Sequence, residues 1–563
     1  EQKKEEIFFN ELLAQDEINQ LLEPKVMTNW KRYTVDGEQK VTEIKRDANG
    51  LIKENLILKG NNLLALYSLK PQFEGKIKLI YIDPPYNTGN DSFGYNDSFN
   101  HSTWLTFMKN RLEIAKQLLK PEGVIFISID DTEVFPLKVL CDEIFGPENY
   151  IRTISYQRGE SSGIGQSGTL ILNTTEFILV YGKDKPLVRF NGVYNTFEID
   201  KETMKRYKSV LINPGKRKLI KTLISKSNGE EIKIYKHENE SIENISLKNF
   251  DIRLTEIKKE FSIHYNNIFR TTNPQSDFQQ EIINQIDDGL FSIDYIPSRG
   301  NKKGVLTTNY FHNKGLCAWL KDTSEIIDNK IMKKEKINDF WAHGDIPKAD
   351  LANEGNVTLK RGKKPEQLLK RIIDLCASSG DVILDFFIGS GTTAAVAHKM
   401  QLQYIGIEQL DYSNNDSVTR LKNVIGNKTS KKTELFDTVE FDQSGVAKST
   451  NWQGGGEFLY IELCKYNESF IEKIEKSKDT KSLLKIWEDM KEHSFLNYNI
   501  DIKKQDEAID DFKSLSIKEQ KQHLCEILNK NQLYVNLSSI EDSDFQISKE
   551  DKALNSDFYG LNK

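Results

Sequence analysis

Cysteine is scarce and poorly placed for chemistry. The 563 residues contain only 5, at Cys141, Cys317, Cys376, Cys464 and Cys525, scattered, odd in number and never spaced C-x-x-C. This excludes a disulfide framework and a paired-thiolate zinc site, so no metal is expected; it predicts reduced thiols in a cytoplasmic protein. Every cysteine follows a leucine, so the Pro-Cys pair used in carbon-5 cytosine methylation is missing. No run approaches the ~20 apolar residues of a membrane span. The opening EQKKEEIFFNELL lacks the shape of a signal peptide. There is no G-x-x-x-x-G-K-[ST], which argues against an ATP-hydrolysing P-loop, and no evident nuclease centre. Positive charge is not in excess either. The net charge of -6 speaks against a uniformly basic coat, although a local cationic groove suffices for nucleic acid. Internal repeats and long low-complexity tracts are also missing.

The length predicts about three or four domains. Ile7 to Leu22 carry apolar residues at helical spacing and predict a short helix. Leu56 to Leu66 reads as a strand entering a helix through GNN. Lys78 to Ile82 reads as a strand, and STWLTFMKNRLEIAKQLLKPEG as an amphipathic helix ended by Pro121 and Gly123. GVIFISID is a buried strand stopping at Asp130 and Asp131, and Thr175 to Lys183 is another. The alternation predicts an α/β domain with a parallel sheet. From Lys185 to about Asp345 the pattern breaks into charged sequence with basic clusters at Lys216, Arg217, Lys218 and Lys221 and at Lys302 and Lys303. The α/β pattern resumes at KPEQLLKRIIDLCASSGDVILDFFIGSGTTAAVAHKMQLQYIGIEQL. After about Tyr466 the chain is charged and helical, with a small strand expected in NQLYVNL. Five segments result: 1–40, helical; 41–185 and 350–465, two halves of one α/β domain; 186–349, an insertion; and 466–563, a helical extension suited to assembly.

Two motifs carry chemistry. DFFIGSGTT, Asp385 to Thr393, follows the strand DVIL and opens a helix. Gly389 and Gly391 remove side chains where a ligand must approach the backbone, and the helix start offers free N–H groups. The next strand ends in Glu408, about twenty residues on, where a carboxylate can accept from ribose hydroxyls. This turn is not G-x-G-x-x-G, so a nucleoside-bearing cofactor other than a dinucleotide is expected. A tight strand–helix turn is the plainer alternative for a lone G-x-G. The second motif, LIYIDPPYNTGND, ends a strand in Asp83-Pro84-Pro85-Tyr86. Proline fixes φ and brings no N–H. The Asp83 carboxylate and a neighbouring carbonyl are thereby held as a rigid acceptor pair, matched to the two N–H donors of an exocyclic amine. Tyr86 offers a face on which a base can stack. A proline turn with a packing tyrosine is the alternative for DPPY in isolation.

Together these residues resemble the beta-class amino-group DNA methyltransferases, in which the catalytic DPPY precedes the cofactor loop and the target-recognition region lies between. The resemblance is closest to the modification (Mod) subunit of Type III restriction–modification systems. DPPYNTGNDSFGYNDSF is similar to that family's catalytic segment, STNWQGGGEFLYIEL to its Gly-rich hairpin, and LNKNQLYVNLSSIEDSDF to its C-terminal region. The resemblance implies a Rossmann-like S-adenosylmethionine-dependent methyltransferase sheet in permuted motif order, with the insertion for target recognition. It implies that Asp83, Pro84 and Tyr86 activate and stack a flipped adenine, with Pro85 fixing the corner. Asp83, Asp385, Phe386, Phe387, Gly389, Gly391, Thr392 and Glu408 would line the S-adenosylmethionine site, and Lys364 and Pro365 of KKPEQLL would close over it. Partners implied are double-stranded DNA, a second copy of the chain as a homodimer, and a Res-type ATP-dependent nuclease subunit. Asp as the first motif residue favours adenine N6. The rivals are N4 of cytosine or an RNA amine, a non-catalytic DNA-binding specificity subunit and, more distantly, a nicotinamide-dependent oxidoreductase. Within the insertion, FRTTNPQSDFQQ and the Lys216–Lys221 cluster are candidates for base and phosphate contacts.

Overall fold

The computed structural model describes residues 15–561 apart from 89–99, 159–172, 227, 275, 300–301, 347–350, 352, 359–362, 430–437 and 498–499. Parts of the expected first helix, of the segment after DPPYN and of FRTTNPQSDFQQ therefore lie outside the described residues. The chain forms two compact units: one comprises residues up to Val193 and from Asn338 onward, the other Tyr194–Ile337.

The first unit is built on an 11-stranded sheet. Its strands in chain order are β1 (Met27–Thr34), β2 (Gly37–Lys40), β3 (Leu56–Lys59), β4 (Ile77–Ile82), β5 (Leu119–Ile129), β6 (Tyr150–Gln157), β7 (Thr175–Gly182), β8 (Phe340–Trp341), β9 (Val382–Asp385), β10 (Gln403–Glu408) and β11 (Phe458–Leu463). Across the sheet the order is β8-β6-β7-β5-β4-β9-β10-β3-β11-β1-β2. From β5 through β11 neighbours run parallel, whereas β7 is antiparallel to both β5 and β6. The central strands read as unbroken apolar runs because both faces are covered: all six residues of β4, IKLIYI, and all four of β9, VILD, are buried. Helices α2 (Asn62–Phe73), α3 (His101–Leu118) and α4 (Val134–Phe145) follow β3, β4 and β5; α5 (Glu366–Cys376), α6 (Thr392–Lys399) and α7 (Ser417–Ile425) flank β9 and β10. Asn61 caps α2 by accepting from the N–H groups of Leu63 and Leu64, as its place before an apolar run foretells.

Several local expectations shift. Among the described residues before 41, the helix is α1 (Gln15–Leu22). Met27–Lys40 instead forms a hairpin that turns through Val35-Asp36, with Thr34 opposite Gly37, whose φ of +97° glycine accommodates without strain. The helix after β4 ends at Leu118, and Pro121 and Gly123 lie within β5, where the register against β4 shifts between Ile77 and Leu79. Ser449–Leu463 makes no hairpin. Its last six residues are β11, between β3 and β1, and the Gly455 carbonyl bonds to the buried His398 ring of α6 at 2.9 Å. Burial draws His398 down to about 4, so the ring is neutral. In NQLYVNL only isolated bridges form, Tyr534 to Lys465 and Asn536 to Lys25.

The C-terminal stretch divides between two cores. Residues Phe470 to Leu528 build a small helical cluster of their own around Trp487 and Leu524. Leu554, Phe558 and Tyr559 belong instead to the main core, where Asn555 bonds to the backbone of Met27 in both directions. The second unit is mostly β, with sheets of eight and three strands around three apolar clusters. Its strand Lys216–Ile224, KRKLIKTLI, ends the larger sheet and is almost wholly exposed.

Candidate active site

Sheets of this kind place their crevice where neighbouring strands send their connections to opposite faces, beyond the carboxyl ends. β4 and β9 are such neighbours, aligned Leu79 to Ile383 and Ile80 to Leu384. β4 runs into the proline corner and β9 into the glycine turn. The two motifs, 300 residues apart in sequence, therefore open on the same edge, on strands about 4.8 Å apart.

At the end of β4, Asp83 is followed by two residues without N–H groups, so the ladder stops. Tyr86 turns back, and its hydroxyl donates to Asp83 Oδ1 at 2.8 Å. Trp104 of α3 donates its indole N–H to the Pro85 carbonyl at 2.8 Å and pins the corner from below. Asn87, in the left-handed region at φ +59°, is held by the buried Glu133, whose Oε1 accepts from its amide at 2.7 Å. Lys364 lies against this corner. Its ammonium donates to Tyr86 Oη at 2.5 Å and to Glu176 Oε2 at 2.6 Å, and stands 3.3 Å from Asp83 Oδ1. Glu176, near the start of the antiparallel β7, is 8 % exposed.

Electrostatics follow from two carboxylates and one cation in a nearly dry pocket. Burial pushes the Asp83 carboxyl up; Lys364 opposes that and Glu176 reinforces it. Burial pulls the Lys364 ammonium down, but Asp83 and Glu176 outweigh it and hold it above its ordinary value. Burial, with Asp83 and Glu176 beside it, pushes the Tyr86 hydroxyl far up, so it stays protonated.

The end of β9 is the complement. Asp385 accepts from the Phe387 N–H at 3.0 Å and from the Thr393 hydroxyl at 2.6 Å, tying the turn to α6. Burial pushes its carboxyl up to about 7. Gly389 has φ +51°, and a Cβ built on it meets nothing within 4 Å, so the turn fronts open space there. Gly391, at φ +85°, lies against α7, where a Cβ would come within 2.9 Å of Ser417 Cα. Glu408 accepts three backbone N–H groups, from Gly389 at 2.8 Å, Gln409 at 2.9 Å and Leu410 at 2.8 Å. A carboxylate has about four lone-pair sites, which leaves it acceptor capacity. Beneath the turn, Arg420 donates to Thr392 Oγ1 and to Glu366 Oε1, both at 2.8 Å.

The structure thus brings Asp83, Pro84, Pro85, Tyr86 and Lys364 together at one strand end, and Asp385, Phe386, Phe387, Gly389 and Gly391 at the next, with Glu408 meeting Gly389 from the end of β10. Lys364 bonds to the proline corner, and Pro365 caps α5 without a side-chain bond. Thr392 directs its hydroxyl to Arg420. Phe386 is fully buried, with its carbonyl accepting from Asn62 at 2.9 Å, while the half-buried Phe387 lies 5.9 Å from Phe107. Sequence reading missed Glu176, Trp104 and Tyr412. Burial pushes up the Tyr412 hydroxyl, and Glu408 and Asp83 both act on it. The one available signal for Glu176 was a carboxylate at the mouth of an otherwise apolar strand. Among the described residues no cluster suited to a metal ion occurs, and no helix is long and apolar enough to cross a membrane.

Comparison with known proteins fits this geometry. The family model described as DNA methylase, for N6 and N4 methyltransferases, matches residues 77–415. The probable type III restriction-modification enzyme HindVI Mod subunit of Haemophilus influenzae is 43 % identical over 583 aligned positions, covering 100 % of this chain and 75 % of that protein. The StyLTI Mod subunit of Salmonella typhimurium is 30 % identical across 64 % of this chain and 53 % of its own length. The EcoPI Mod subunit of Escherichia phage P1 is 38 % identical across 27 % of each. The family model over residues 77–415 and the alignment of the whole chain with a Mod subunit, in a chain whose proline corner precedes the glycine turn in sequence yet adjoins it in the sheet, make this protein a member of the N6/N4 DNA methylase family, of the type III Mod kind.

Proposed function

We propose that the chain is the modification subunit of a Type III restriction–modification system, transferring a methyl group from S-adenosylmethionine to adenine N6 at a specific site in double-stranded DNA. One observation carries this: the Asp83-Pro84-Pro85-Tyr86 corner and the Gly389–Gly391 turn end adjacent strands of one sheet. The residues at β9 suit the cofactor. Gly389 leaves a cradle that a side chain would fill, and Glu408 keeps acceptor capacity for ribose hydroxyls. Asp385, Phe386, Phe387 and Gly391 shape that cradle, and Thr392 supports it through Arg420. Bound there, S-adenosylmethionine supplies an electrophilic methyl on a sulfonium.

The protein's part is orientation and charge. The target adenine leaves the helix, at a cost of about a few kcal/mol, and stacks on Tyr86. With the Pro85 carbonyl already taken by Trp104, the Asp83 carboxylate and the Pro84 carbonyl are the pair that accepts the two N6 hydrogens. Holding both draws the nitrogen towards tetrahedral geometry and frees its lone pair. Lys364, placed by Pro365 at the start of α5, acts on this acceptor end. The second unit, Tyr194–Ile337, supplies target recognition, for which its exposed basic strand is suited. A homodimer, a Res-type ATP-dependent nuclease partner and a cytoplasmic location complete the reading.

Labelled S-adenosylmethionine, duplex DNA and nucleoside analysis test it. N6-methyladenine is the expected product; N4-methylcytosine alone would refute the choice of base. Single-molecule methylome sequencing of DNA from expressing cells gives the site.

A further inference from the structure

Resting on that reading, we propose that Glu176 is the group that finally takes the proton lost from the target amine, with the Tyr86 hydroxyl as its link to Asp83 and Lys364 as the fixed charge that holds the three together. In the transfer, the amine lone pair forms the N–C bond and the S–C electron pair returns to sulfur. The nitrogen is left with a positive charge and one proton too many. Asp83 accepts that proton and becomes neutral. Tyr86 Oη, 2.8 Å from Asp83 and 3.3 Å from Glu176 Oε2, then accepts from Asp83 while passing its own hydrogen to Glu176. One O–H bond forms as each breaks, and the net change moves the acid from Asp83 to Glu176.

Three features favour this direction. The other Glu176 oxygen lies 3.4 Å from Arg158, which is 43 % exposed, so the chain of oxygens leads outward. Lys364 is held above its ordinary value and keeps its proton, acting as an anchor and not a carrier. The trio Asp83, Glu176 and Lys364 carries one net negative charge, which the sulfonium balances; after transfer a neutral thioether faces a neutral trio. Charge is never stranded in the pocket, where it would be costly.

Among the described residues, the groups acting on Glu176 come from several neighbouring elements. Tyr81, Asp83 and Tyr86 belong to β4 and its corner, and Asp130 to the end of β5. Tyr156 and Arg158 come from β6 and its end, and Lys364 from the segment before α5. In this arrangement Glu176 is a positioning residue, acting on the amine through Tyr86 and Asp83.

Single-turnover methylation of duplex DNA by full-length Glu176→Gln, followed across pH, tests the proposal. The amide can still accept from Lys364 but cannot take a proton at neutral pH. The expected plateau rate falls about tenfold, less than direct acid–base catalysis confers because the residue acts at one remove. The acid limb moves to lower pH, because removing the Glu176 charge lets Asp83 ionise more easily. The same downward move is expected for the Asp83 carboxyl in ligand-free protein, read by difference infrared titration against Asp83→Asn. Tyr86→Phe should lose a similar factor, and the double variant no more than either single one. Wild-type rate and acid limb in Glu176→Gln, or additive losses in the double variant, would overturn the relay alone. Wild-type protein that forms no N6-methyladenine would overturn the parent function and the relay with it.

Discussion

β4 and β9 lie side by side, run the same way and stop in opposite manners. β4 stops because two prolines withhold N–H groups, so its end is a stiff cluster of acceptors: the Asp83 carboxylate and the carbonyls beside it. β9 stops because glycines let the backbone turn tightly; the Phe387 and Gly389 N–H groups are taken by Asp385 and Glu408, and its end offers the open face at Gly389, the remaining acceptor capacity of Glu408 and the start of α6. The first end is suited to a neutral amine that must give up a proton. The second is suited to a ligand rich in hydroxyl and carboxyl oxygens. The difference lies in what ends each strand, residues without an N–H on one side and residues without a Cβ on the other.

The comparison breaks most sharply at Asp83. Asp83→Ala should lower methyl transfer about a thousandfold, the scale of losing a preorganised electrostatic partner. Cofactor affinity should fall by no more than about tenfold, since Asp83 is one of several residues expected around the cofactor and the glycine turn is untouched. Equilibrium binding of S-adenosylmethionine and a single-turnover assay check the two halves; unchanged methylation would remove Asp83 from the chemistry. Gly391→Ala attacks the other end. Its φ of +85° and the 2.9 Å approach to Ser417 Cα leave no room for a methyl group. A loss of about 1–2 kcal/mol in stability is expected. Cofactor affinity should fall at least about tenfold. Calorimetry measures both, and a variant binding like wild type would show that the turn is not the cofactor cradle.

A smaller effect concerns Asp385, whose carboxyl burial lifts to about 7. A group whose value is raised by folding stabilises the fold fully below its unfolded value. It loses that contribution as pH rises through the folded one. Wild type should therefore lose stability relative to Asp385→Asn between about pH 4 and pH 7. At about pH 8 the variant should melt higher by about 2 °C, while binding cofactor more weakly. A melting difference that does not change with pH would place the titration elsewhere.

Both strand ends were legible in the sequence because local chemistry dictates them. The four apolar residues Leu79–Ile82 before Asp83-Pro84-Pro85 can only be a buried strand cut short, and Asp385 to Thr393 can only turn where it does. The sheet order was not legible, since pairing β4 with β9 joins residues 300 positions apart. Glu176 escaped for the same reason, and Lys364, expected over the cofactor, was not foreseen against the proline corner, because nothing near either one names its partner. The insertion shows few strong periodic apolar runs in its sequence, although EIKIYKHE alternates buried and exposed residues along its strand. Its charges masked a period of two that becomes obvious once the neighbouring strands are known. The tail divided between two cores because Phe558 and Tyr559 pack with residues near the start of the chain, again a long-range choice.

The least effect is expected where the strand-end comparison no longer applies. Lys218, on the exposed strand Lys216–Ile224, has a side chain 68 % exposed and 3.3 Å from Glu238, a pairing worth little at a surface. If the second unit holds DNA through phosphates, Lys218→Ala removes one counterion-releasing contact. The slope of log affinity against log salt should then fall by about 1. The single-turnover rate at saturating DNA should not change, because neither strand end senses this charge. Binding titrations at several salt concentrations separate the two quantities. An altered rate at saturation would mean that the insertion helps to set the chemistry, and that the division between an end that takes the amine and an end that takes the cofactor is incomplete.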